Sequence, residues 1–240
     1  MKITIKNLSK TIESLPVLND INVEFRSGKT YGIVGKAGSG KSMLLAVICG
    51  LVFPTEGYIE VDGKIVGEDI SFPKNVGALV GEPGFVSSYD GFTNLKVLAR
   101  LRNRTSDDDI ICVMKEVGLE PADKTCFKDY TNSMKQKLGV AAALMECSDL
   151  LILDDPFYSL DEESAKTIRK SILKRKSADS IIILSCQDDK RVEKLCDEIL
   201  TIEEGRVADI KERRGNNRFR NIKDVLKLFF SFITAGAYRQ

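Results

Sequence analysis

The chain contains no histidine, and its six cysteines (Cys49, Cys112, Cys126, Cys147, Cys186 and Cys196) include no C-x-x-C pair. Without either, the usual Cys/His zinc sites are excluded. Several of the cysteines lie in apolar runs, where a reduced thiol serves as a small hydrophobe, so a reduced cytosolic compartment fits best. No stretch approaches the roughly 20 apolar residues that a membrane-spanning helix needs. The N-terminus (Met1, Lys2, Ile3, Thr4, Ile5) alternates like a strand and lacks the apolar core of a signal peptide. If a membrane is involved, a partner must supply it. A net charge of +1 argues against general nucleic-acid binding. The charge is uneven, because residues 211–240 hold eight Lys/Arg against two Asp/Glu and leave the rest mildly acidic. There is no internal repeat and no low-complexity segment. The 240 residues suffice for one large domain or two closely joined ones.

What the sequence has is a glycine-rich stretch, Gly35, Lys36, Ala37, Gly38, Ser39, Gly40, Lys41, Ser42, matching G-x-x-x-x-G-K-[ST] throughout. Glycines let such a loop turn tightly and expose its N–H groups to a polyphosphate, while the next helix adds its positive end. Lys41 is placed to reach the outer phosphates and the Ser42 hydroxyl to ligate Mg²⁺. The context fits: residues 30–34 read as a buried strand and residues 42–49 as a largely buried helix ending at Gly50.

Residues 1–28 predict antiparallel strands over 2–8 and 18–25, and residues 57–63 a further strand ending in a hairpin. A short strand over 76–80 runs into the turn 81–84. Helical spacing then takes over at 94–104, 107–117 and 134–147. The four-residue apolar runs 150–153 and 181–184 suit parallel strands buried on both faces, with a charged amphipathic crossover helix over 161–176 between them. A closing hairpin is expected at 200–208. The fold class is therefore α/β: a P-loop core, an antiparallel β subdomain and an inserted helical subdomain near 85–146, together spanning 1–210, followed by a basic amphipathic tail at 211–240. In that tail Ile222, Val225, Leu226, Phe229 and Ile233 recur at helical spacing, suiting either packing on the cassette or a second copy, or contact with a membrane surface.

The run 150–153 ends in Asp154 and Asp155, which sets two carboxylates beside the phosphate loop. Asp154 is the candidate Mg²⁺ holder, through water, and Asp155 the candidate base polarising an attacking water.

With these motifs in place, residues 1–210 resemble the ATP-binding subunit of an ATP-binding-cassette (ABC) transporter. The resemblance is carried by residues 35–42, 50–57, 130–139 and 150–161, and the details at 76–85 and 134–136 look most like the bacitracin or antimicrobial-peptide efflux branch. It implies ATP and Mg²⁺ as cofactors, an integral-membrane partner subunit, and a position at the cytoplasmic face of the membrane. It also implies head-to-tail pairing of two cassettes, each ATP lying between the P-loop of one and the signature segment (Thr131, Asn132, Ser133) of the other. Asp161 closes the last of these stretches and belongs with the nucleotide-binding set.

Several positions depart from the family pattern. Ile12 stands where an aromatic stacks on adenine. Ser133 replaces a glycine, Gly81 replaces the usual Gln/Glu with Glu82 one residue late, Asp155 replaces Glu, and Gln187 replaces the switch histidine. Shortening the catalytic carboxylate by a methylene withdraws it by about 1.5 Å, and displacements near 1 Å cost on the order of 100-fold in rate. Gln can hydrogen-bond a phosphate but cannot carry a proton charge. ATP binding is expected to persist and hydrolysis to be slow. The leading function is an exporter's ATP-binding subunit for a peptide, antibiotic or similar amphipathic cargo. The alternative is a regulatory or mechanical ATP switch with little turnover, while a soluble P-loop kinase or GTPase is disfavoured by the signature segment. Residues 85–92, with Tyr89, suit either a groove for a membrane-subunit helix or a turn with its aromatics tucked into the helical insert.

Overall fold

The structure, a computed structural model, describes residues 1–102, 105–146 and 148–212. The expected tail helix and Cys147 lie outside these residues.

The chain opens with a hairpin of β1 (Lys2–Ile12) and β2 (Leu15–Arg26), both longer than the sequence pattern indicates. The extension reflects backbone pairing that continues past the last buried residue, through Thr11 with Pro16 and Ile12 with Leu15. Next come β3 (Lys29–Val34), α1 (Lys41–Ile48), β4 (Glu56–Val61), β5 (Lys64–Ile65) and β6 (Val76–Leu79). Three helices follow: α2 (Gly91–Arg102), α3 (Asp107–Glu116) and α4 (Asn132–Leu144), with a single 3-10 turn at Phe127–Asp129. Then β7 (Leu150–Leu153), α5 (Glu162–Lys174), β8 (Ile181–Cys186), a short α6 (Asp189–Val192), β9 (Glu198–Glu203) and β10 (Arg206–Glu212) complete the described chain.

Two sheets result. One is antiparallel, in the order β2-β1-β4-β5; the other runs β10-β9-β3-β8-β7-β6, parallel except for its closing hairpin. The apolar runs of β7 and β8 supply both faces of the second sheet by alternation. Leu150, Ile152, Ile181 and Ile183 pack with α1 and the antiparallel sheet, while Leu151, Leu153, Ile182 and Leu184 pack with the helical insert and α5. Every one of these eight is buried, which is why neither strand alternates in polarity. Burying one such side chain stabilises the fold by about 1.5–3 kcal/mol.

The helical insert sits between β6 and β7 and is held to α5 by ions as well as by packing. Glu116, at the end of α3, receives Lys174 at 3.0 Å and Arg175 at 2.5 Å, and Arg175 also donates to the Leu144 carbonyl of α4 at 3.1 Å. Ser106 and Asp109 form a reciprocal cap at the start of α3. Cys49, Cys186 and Cys196 are buried and form no disulfide, and burial pushes the Cys49 thiol up to about 12, as expected of thiols used as small hydrophobes. Among the described residues no helix is long and apolar enough to cross a membrane.

Candidate functional site

The P-loop leaves β3 at its C-terminal end, with β8 and β9 parallel on either side of it, the usual ligand position in an α/β sheet. Gly35 allows the loop to pass close to β9, since a Cβ there would lie 2.3 Å from the Ile202 carbonyl oxygen. Gly40 has φ +104 and starts α1 with no side-chain cap. The first N–H groups of α1 thus receive no capping side chain, and its first turn contains no acidic residue. By contrast Thr131 caps α4 by accepting from Met134 N–H, and Asp161 caps α5 by accepting from Ser164 N–H. Those two signature and post-strand residues therefore hold helix starts in the described chain.

Lys41 is buried, and its ammonium donates to the carbonyls of Gly35 and Lys36, both at 2.7 Å. Burial lowers its pKa, with Asp154 and Asp155 opposing. Two clefts flank the loop. The larger, about 1020 Å³, lies toward the β9–β10 hairpin and is bordered by Lys36, Gln187 and Arg206. The other, about 670 Å³, gathers Lys41, Ser42, Asp154, Asp155 and Gln187, with Gly81 and Glu82 at its edge. The start of α4 also borders it, through Asn132, Lys135 and Gln136, so this helix faces the phosphate loop of its own chain. Ser133 and Asp161 are outside both linings, and so is Ile12, a half-exposed residue at the hairpin tip.

Asp155 is held unusually. Its φ is +42, a left-handed conformation that aspartate tolerates better than most residues. Its N–H donates to Ser185 Oγ at 2.9 Å, and its carbonyl accepts from Gln136 Nε2 at 3.0 Å. Burial first, then the Asp154 charge, raises the Asp155 carboxyl above the ordinary range, with Lys41 and Arg191 pulling the other way. Neither Ser185 nor Gln136 was expected from sequence as part of the site. The signal for Ser185 lies in strand register alone: Leu153 pairs with Leu184, so the next step sets Ser185 beside Asp154.

Gly81 has φ +71 with open space around the position of a Cβ, so this loop uses the glycine's conformation and leaves the side-chain position of the family pattern vacant. In the 85–92 segment Phe85 and Phe92 pack against the helical-insert core, whereas Val86 and Tyr89 are exposed. Asn94 pins the loop by accepting from Val86 N–H and donating to the carbonyls of Val86, Tyr89 and Asp90.

The donor set fits Mg²⁺ with a nucleotide: one hydroxyl and one carboxylate, with phosphate oxygens left to complete the shell. Among the described residues no three His, Cys, Asp or Glu side chains form a group that could hold a metal ion.

Residues 18–158 match the family model described as ABC transporter. The chain is 37% identical over 205 residues to an uncharacterized ABC transporter ATP-binding protein, YybJ, of Bacillus subtilis (strain 168), spanning 85% of this chain and 94% of that protein. It is 34% identical over 218 residues to the bacitracin transport ATP-binding protein BcrA of Enterococcus faecalis, spanning 89% and 71%. The fold is shared with the ATP-binding cassette MJ0796, solved as a dimer in a post-hydrolysis state with ADP and Pi: TM-score 0.80 at 19% identity, over 89% of this chain and 99% of that one.

Proposed function

The chain belongs to the ABC transporter family as an ATP-binding domain, and from that premise we propose that it binds MgATP in the smaller cleft and hydrolyses it slowly to drive export of a peptide, antibiotic or similar amphipathic cargo. An integral-membrane partner carries the pathway, and the chain works at the cytoplasmic face of the membrane, paired with a second cassette. The bacitracin transport relative supports the cargo class. The carrying observation is the convergence of Lys41, Ser42, Asp154, Asp155 and Gln187 on one cleft.

Each group has a task that its surroundings permit. The uncapped start of α1 and the loop N–H groups bind the phosphates. Lys41 exchanges two carbonyl acceptors for charged phosphate oxygens, a stronger pairing. Ser42 and Asp154 hold Mg²⁺, which when bound neutralises charge on the phosphate oxygens. Asp155 orients the attacking water and accepts its proton as the bond from water oxygen to the γ-phosphorus forms and the bond to ADP breaks. Gln187 donates a hydrogen bond to the phosphate or the water. The short Asp155, the uncharged Gln187, Ser133 and the empty side-chain position at Gly81 all lower the rate while leaving the binding groups intact.

The test is MgATP binding and hydrolysis by the chain assembled with its membrane partner. Lys41→Ala is expected to weaken binding at least about ten-fold, a loss of at least ~1.4 kcal/mol, and to bring hydrolysis to background. Turnover at the upper end of typical enzyme rates, hundreds per second, that Lys41→Ala abolishes contradicts slow chemistry. Tight binding with no hydrolysis at all supports instead an ATP switch, which the altered catalytic positions also favour.

A further inference from the structure

We infer that Ser185 is a positioning residue for Mg²⁺ and for the catalytic carboxylate, through a single hydroxyl that holds both aspartates at the end of β7. This rests on the assignment of Asp154 and Asp155 to the nucleotide site made above. Ser185 is fully buried in β8, between β7 and β3. Its hydroxyl hydrogen goes to Asp154 Oδ1 at 2.5 Å, and its oxygen accepts from Asp155 N–H at 2.9 Å. The hydroxyl's single proton is thus committed to Asp154, whose other carboxylate oxygen is left to the cleft.

The second bond acts on conformation. Asp155 adopts φ +42, and its N–H finds its acceptor in Ser185. A buried N–H without a partner costs about 1–3 kcal/mol. Removing the hydroxyl therefore frees the Asp154 carboxylate to rotate and loosens the backbone that aims the Asp155 carboxylate. Groups that orient a metal-binding carboxylate in this way typically change metal affinity 10–100-fold when removed.

The experiment uses the full chain and a fluorescent ATP analogue carrying a methylanthraniloyl group, titrated with and without Mg²⁺. Ser185→Ala is expected to raise the Mg²⁺ concentration that half-saturates the Mg²⁺-dependent binding signal by about ten-fold, while Mg²⁺-free analogue binding stays near wild type and so reports an intact fold. Ser185→Thr, which keeps a hydroxyl, recovers most of the wild-type Mg²⁺ dependence. Should the alanine variant not fold, Ser185→Cys keeps the bulk, weakens the donor and gives a smaller shift in the same direction. In an Asp154→Asn background, Ser185→Ala adds nothing, because its route to Mg²⁺ is already cut. Wild-type Mg²⁺ dependence in Ser185→Ala, or an undiminished further shift in the Asp154→Asn background, overturns the inference. A wild-type chain whose analogue binding ignores Mg²⁺ overturns the parent assignment and this inference with it.

Discussion

At the scale of single residues, the proposed site separates groups that grip from groups that act. Lys41, proposed to grip phosphate, donates to the Gly35 carbonyl within the loop, and α1 offers an uncapped N-terminus. The proposed acting group, Asp155, is one methylene short of the family's glutamate but is held by its own N–H and carbonyl from two different elements. A side chain anchored so firmly at its base loses reach that backbone drift cannot restore. Asp155→Glu is therefore expected to raise kcat by at least about ten-fold, with KM for MgATP within about three-fold, since the added methylene restores the missing ~1.5 Å of reach. Steady-state kinetics of the two proteins decide it, and an unchanged kcat places the slow step elsewhere. Lengthening the side chain at φ +42 has a conformational cost of about 1–2 kcal/mol at most, to be seen as a slightly lower Tm.

Among the elements, the helical insert is fastened to the core by Glu116. Burial alone pushes its carboxyl pKa up, but hydrogen bonds from Arg175 and Lys174 hold it below the ordinary glutamate range. Its folded pKa is thus depressed, so the stability it contributes is present above the unfolded pKa of about 4.3 and is lost as pH falls through the folded value. Glu116→Gln is expected to destabilise the chain by about 1.5–3 kcal/mol at pH 7, which lowers Tm by about 2–4 °C for each kcal/mol in a chain of this size. Melting curves at descending pH should show the difference from wild type shrinking below about pH 4, where the protonated wild-type residue loses its advantage. An undiminished difference at low pH implies that packing, not charge, is what Glu116 supplies.

These elements also show where sequence is informative. The phosphate loop is legible because a backbone cradle fixes glycine positions within eight residues, and β7 and β8 because a strand buried on both faces has no polar position to alternate with. Ser185 is not legible, since a serine closing an apolar run carries no local mark, and its partners come from a strand distant in sequence. Gln136 is hidden likewise, for only the packing of α4 against the end of β7 brings it to Asp155. The lengths of β1 and β2 escape the alternation pattern because their ends pair through backbone where burial has ceased.

For the whole molecule, a phosphate cleft open to solvent leaves bound nucleotide with exposed negative charge, which a second helix N-terminus can satisfy. Asn132, at the start of α4, is the first residue of the helix that a partner would present. Pairing should therefore be nucleotide-dependent and most persistent when hydrolysis is blocked. With Asp155→Asn, light scattering is expected to report a doubled mass in MgATP and a monomer without nucleotide, while Lys41→Ala stays monomeric in both. A chain that stays monomeric throughout requires a different cassette as its partner. In either pairing each composite site contains at least one altered half, because Asp155, Gln187 and Ser133 belong to one chain. A homodimer builds both composite sites from altered halves. A heterodimer distributes them, one site receiving this chain's Asp155 and Gln187 and the other its Ser133, so neither site is made wholly of family-typical residues. Co-expression with a cassette carrying Glu and His at the catalytic and switch positions should then speed the site that contains Ser133 and leave the site that contains Asp155 and Gln187 slow, which single-turnover hydrolysis resolves as two phases of comparable amplitude; a single fast phase at full amplitude counts against Asp155 and Gln187 as rate-lowering residues, and the absence of any fast phase makes Ser133 limiting as well.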